Sequence, residues 1–105
     1  MREIKLKTVQ VNLKEVTGED TTIPFSYKDT IKGLLNAFID KGMTIEDVEK
    51  RLKIRGKINS SEDVLTLEDV DYEYLKGLVL EEKWKFADQA IIDFVNEIKN
   101  AKQVN

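Results

Sequence analysis

The chain has 105 residues, 41% of them hydrophobic and 35% charged, and a net charge of −3. These values predict a single, rather polar domain spanning residues 1–105 and argue against a molecule that binds nucleic acid by its overall charge. No apolar run approaches the roughly 20 residues of a membrane span, the start MREIKLKTVQ has no signal-peptide core, and the absence of cysteine suits a cytoplasmic protein without disulfides.

Ile4, Leu6 and Thr8 alternate with Lys5 and Lys7, while Val9, Val11 and Leu13 alternate out of phase with them. A strand with a bulge or break near Thr8 is expected. Val16 to Thr21 is a turn signal, and Thr21 to Phe25 reads as the returning strand of a hairpin. Pro24 puts that strand at an edge or marks its end.

Ser26 or Asp29 can cap a helix whose apolar face is Ile31, Leu34, Leu35, Phe38 and Ile39, with Gly42 as its stop. Thr44 begins a capping-box-like start, with Met43 and Val48 as a hydrophobic staple. Ile45, Val48 and Leu52 form the face of that next helix. From Leu52 to Ile58 the pattern fits a strand or a continued helix, and continuation to about Asn59 is expected. Asn59 to Asp63 is a loop, and Val64 and Leu65 fit a short extended piece.

Thr66 reads as the N-cap of the next helix, with Leu65 and Val70 as a second staple and acids in the first turns. Tyr74, Leu75, Leu78 and Val79 follow helical spacing. A second amphipathic run takes Ala87, Ala90, Ile91, Phe94, Val95, Ile98 and Ala101. Its face is rotated from the first, so a break is expected between Lys83 and Phe86. The predicted class is α+β: an N-terminal β-hairpin, then about four helices ending in a C-terminal helical block.

With no His and no Cys, Cys–His and Ser–His–Asp catalysis and Cys/His zinc sites are excluded. No Gly-rich phosphate loop is present. Asp69-Val70-Asp71-Tyr72-Glu73 imitates the start of a calcium loop, but Tyr74 stands where the turn needs Gly and Leu80 where a bidentate Glu belongs. The acids are therefore read as a helix start. No catalytic residue, no cofactor and no metal are expected, and the chain is not read as an enzyme. A pair of acids acting as acid and base would be the only remaining enzyme reading, and nothing fixes their spacing.

Arg51, Lys53, Arg55 and Lys57 would make a cationic stripe if they lay on a strand, and would spread around the axis on a helix. A stripe could serve a small nucleic-acid-associated regulator; a solvated face is the plainer reading, and nucleic acid is not the expected partner. Trp84 and Phe86 lie between Lys83 and Lys85. They read either as a plug of the core at the helix break or as anchors for a protein partner. Gly33 and Gly77 fall within predicted helices, where close helix packing is the expected reason and a hinge the alternative.

The order of elements resembles small uncharacterised proteins of tailed bacteriophages. The resemblance rests on the hairpin, on Thr30-Ile31-Lys32-Gly33-Leu34-Leu35-Asn36-Ala37 and on the basic Val48-Glu49-Lys50-Arg51-Leu52-Lys53-Ile54-Arg55. It continues through Leu65-Thr66-Leu67-Glu68-Asp69-Val70 and Tyr74-Leu75-Lys76-Gly77-Leu78-Val79 to the closing amphipathic helix. It covers most of the chain from about Val16. It implies a phage or prophage setting, in the host cytoplasm, without implying an activity. Together these features lead to an expected non-catalytic interaction or assembly protein: a morphogenesis factor or a modulator of a host protein, with a protein partner or a homo-oligomer as its target.

Overall fold

The first alternating run breaks at Leu6 and Lys7, and its two halves join different sheets. In the computed structural model, which describes residues 1–104, β1 (Arg2–Lys5) is the middle strand of a three-stranded sheet, between β4 (Val64–Leu67) and β5 (Lys102–Gln103). Both neighbours run antiparallel to it, with Ile4 opposite Leu65 and Arg2 opposite both Leu67 and Gln103. Only the second half makes the hairpin. There β2 (Thr8–Asn12) pairs with β3 (Thr22–Ser26), from Thr8↔Ser26 to Asn12↔Thr22.

The segment joining β2 to β3 holds a single helical turn, α1 (Lys14–Thr17), where a plain turn was expected. Gly18 ends it at φ +81°, a left-handed conformation that glycine adopts without steric cost. Residues 14–22 are exposed throughout.

Helix α2 (Tyr27–Leu35) starts at Ser26, whose hydroxyl accepts the Asp29 N–H. It buries Tyr27, Ile31, Leu34 and Leu35, but ends well before Gly42. The Arg51 guanidinium donates to Leu34 O at 2.9 Å, satisfying a carbonyl that the helix end leaves free. Phe38 and Ile39 therefore fall outside the helix and face solvent. Gly42, at φ +76°, closes a turn by donating to Ile39 O instead of stopping the helix.

Helix α3 (Ile45–Asn59) runs through the segment that could have been a strand, capped by Thr44 as expected. Its buried face is not the predicted one. Ile54 and Ile58 are in the core, while Ile45 is 70% exposed and Leu52 48% exposed. The core-facing ridge is Asp47, Arg51, Ile54 and Ile58, at helical spacing. Its first half is polar because both residues hydrogen-bond to Tyr74.

The predicted cap at Thr66 lies inside β4. Leu65 and Leu67 turn into the core and Thr66 turns partly outward. Helix α4 (Asp69–Glu81) starts after Glu68, which makes no side-chain cap bond, and Val70 is 66% exposed and forms no staple. The expected break follows, over residues 82–88, before α5 (Gln89–Lys99), which Asp88 caps through Ala90 N. Ala101 is buried just beyond α5, and the chain then turns extended as β5.

The class is α+β. The core takes Ile4, Tyr27, Ile31, Ile54, Ile58, Leu65, Leu67, Tyr72, Leu75, Val79, Phe94 and Ile98 from elements along the whole chain. Phe25, Tyr27 and Trp84 set edge-to-face against Phe94, with centroids 5.0 to 6.0 Å apart. Among the described residues no helix is long and apolar enough to cross a membrane.

Candidate docking surface

On a helix, the basic residues of the 50–57 segment diverge. Arg51 packs inward: besides Leu34 O, its Nε donates to the Tyr74 hydroxyl at 3.1 Å. Arg55, one turn on, donates to Asn36 Oδ1 at 2.8 Å. Both arginines hold the end of α2, where cations also suit the helix dipole. Lys53 leaves from another side and lies 3.2 Å from Asp71 and 3.6 Å from Glu68. Lys57 is half-buried, and its carbonyl accepts from Ser60 and Ser61.

Asp71 is the one buried charged side chain among the described residues. Its Oδ2 is close to the Lys53 ammonium but has no well-aligned hydrogen bond. The direct contact with Asp71 first, and the charge of Asp71 second, hold the Lys53 ammonium's pKa above its ordinary value, with Glu68 adding to the effect.

Trp84 and Phe86 are both half-buried in the segment between α4 and α5. Trp84 packs on the core through the edge-to-face contact with Phe94, 5.9 Å between centroids. Much of its area is thus spent within the fold.

The open apolar surface lies elsewhere, where α2 gives way to α3. Phe38 is 94% exposed, Ile45 70% and Leu52 48%, and Ile39 and Met43 are exposed beside them in sequence. A groove of about 410 Å³ is lined there by Leu35, Ala37, Met43, Val48 and Leu52, with Asn36, Arg51 and Arg55 supplying its polar part. Phe38 directly follows Ala37 of that lining. Sequence reasoning missed this surface because its residues keep helical spacing and so looked like core. The turn Asp40-Lys41-Gly42, closed by Gly42 N–H on Ile39 O, separates Phe38 and Ile39 from α3.

Among the described residues no three acidic side chains gather as a metal-binding group. Compared with known proteins, the chain matches no family model, no curated protein and no solved structure.

Proposed function

We propose that this chain is a non-catalytic docking protein that binds another protein through the surface from Phe38 to Leu52. The observation that carries the reading is the almost complete exposure of Phe38, the residue that follows Ala37 of an apolar groove. Lone exposed apolar residues are ordinary, but a cluster with a groove marks interaction sites. The partner presents an apolar side chain to the groove with a carboxylate beside it, matching the exposed guanidinium of Arg55. The setting is cytoplasmic, and by the resemblance of its helices that of a phage or prophage.

The molecule is more extended than a compact chain of its length. The radius of gyration is 14.5 Å, against about 13 Å for a compact chain of this length. The accessible surface is 7019 Å², against roughly 6,000 Å² for a folded monomer of this mass.

The test compares proteins retained by the tagged chain with those retained by Phe38→Ser and Leu52→Glu variants. Both side chains are exposed, so each variant is expected to keep its stability within about 0.5 kcal/mol. A partner held by the parent chain and lost from both variants is the expected result. A set of retained proteins that both variants leave unchanged would sink the reading.

A further inference from the structure

The hairpin has two unlike edges. Leu13 N–H donates to Thr21 O at 2.8 Å and Tyr27 N–H to Lys7 O at 3.0 Å, at the two ends of the β2–β3 ladder. In an antiparallel pair, hydrogen-bonded and non-hydrogen-bonded positions alternate. Given the register, Val9 and Val11 turn their main-chain groups toward β3, and Thr8, Gln10 and Asn12 turn theirs away. Among the described residues the sheet contains no third strand to receive them.

On the far side of β3, the outward positions are Thr22, Pro24 and Ser26. Pro24 has no N–H to offer, and Ser26 O already accepts the Thr30 hydroxyl at 2.7 Å. That edge is blunted. The β2 edge has no such protection. Natural edge strands are guarded by charge, proline or bulges, yet Thr8-Val9-Gln10-Val11-Asn12 carries none in a chain that is 35% charged. A two-stranded ribbon is also marginal by itself.

We propose that β2 pairs antiparallel with β2 of a second copy of this chain, about a two-fold axis at Gln10. The outward groups at positions 8, 10 and 12 are symmetric about Gln10, so the edge complements itself. Gln10 exchanges both hydrogen bonds with Gln10 of the second copy, and Thr8 does so with Asn12. Val9 then stands opposite Val11 on the apolar face, where Val9 is still half-exposed and Val11 is buried. Flanking Lys7 meets Leu13, so no like charges oppose each other. The result is a four-stranded sheet with β3 at each margin. Pro24 stops further addition there, which makes the assembly a closed dimer instead of a fibre. The paired length is only five residues, so the contact belongs with small, weak interfaces and builds up with concentration. It does not use the surface around Phe38.

Analytical ultracentrifugation and amide exchange of the full chain test this together. The expected mass shifts with concentration toward twice 12.1 kDa. The amides of Thr8, Gln10 and Asn12 should slow by about tenfold or more over the same range, while those of Val9 and Val11 stay protected throughout. Gln10→Pro removes the outward N–H, and Gln10→Lys sets two like charges at the axis without touching the inner ladder. Both should remain folded by circular dichroism and monomeric, while Phe38→Ser still dimerises. A parent chain that stays monomeric up to about 1 mM, with the three amides open, would overturn the proposal. So would a dimer that survives both Gln10 variants, or an edge filled only by a strand of another protein.

Discussion

Lys53 is half in solvent, yet it faces the most deeply buried charge among the described residues. Its ammonium is 3.2 Å from Asp71, whose side chain is almost fully enclosed. Removing one partner of a buried pair leaves the other charge unpaired, which costs more than the pair itself contributes. Lys53→Met is therefore expected to lower the melting temperature at neutral pH. The interaction with Asp71, its nearby charge and that of Glu68 raise the Lys53 pKa from 10.5. Burial, then Asp93 and Glu97 of α5, raise that of the Tyr27 phenol from 10.0. Both shifts have the same consequence by linkage. The stabilisation from Lys53 is complete below about 10.5 and is lost as pH rises through its raised folded value. Tyr27 keeps its proton longer folded than unfolded, so unfolding is favoured increasingly above pH 10. A melting series is expected to fall from about pH 10 upward. Tyr27→Phe and Lys53→Met should each flatten that fall; a series with unchanged slope in both variants would refute the assignment.

At the scale of the element, three helices carry a glycine that nothing in the packing requires. A Cβ built at Gly33, Gly56 or Gly77 meets no atom within 4 Å, so close helix packing explains none of them, including the two where it was expected. Glycine in a helix interior costs about 1 kcal/mol relative to alanine, mainly through the freedom of the unfolded chain. Gly33→Ala, Gly56→Ala and Gly77→Ala are each expected to stabilise by about that amount, or roughly 4–8 °C in melting temperature. Urea titrations would check this, and a loss of stability at any position would reveal a contact the fold does not show. The elements themselves were legible where a local rule decided them. Ser26 and Thr44 cap as their hydroxyls suggest, and the rotated faces of α4 and α5 force the break at residues 82–88. Local rules failed where a distant partner decided. Thr66-Leu67-Glu68-Asp69 looks like a cap, but β1 draws Val64–Leu67 into a sheet. The face of α3 was misread because Asp47 and Arg51 occupy core-facing positions as hydrogen-bonding residues. The exposed apolar surface was misread with it, since Leu52 and Ile45 were assigned to a core they do not enter.

At the scale of the molecule, one strand joins three distant parts of the chain, and no local pattern could announce it. β1 receives β4 from mid-chain on one side and β5 from the C-terminus on the other. Lys102 and Gln103, a polar pair without β-prone character, become a strand only because Ala101 is buried and β1 has a free edge. Around that pairing the C-terminal segment is held closely. The Arg2 guanidinium donates to Ala101 O at 3.0 Å, Val104 N–H to Met1 O at 2.8 Å, and the buried Tyr72 hydroxyl to Ile98 O at 2.6 Å. Beyond β5's reach, the exposed N–H of Lys5 is taken by the Glu97 carboxylate. The last residues thus complete the sheet, and their removal should be felt throughout the core. Deleting residues 101–105 removes a few hydrogen bonds at about 1 kcal/mol each and uncovers Ile98 and Tyr72. A loss of about 3–4 kcal/mol in denaturant unfolding is expected, with a single cooperative transition. If the segment were only a tail resting on the surface, the truncated chain would unfold at the same midpoint as the full one, and the central place of β1 in the stability of the fold would have to be abandoned.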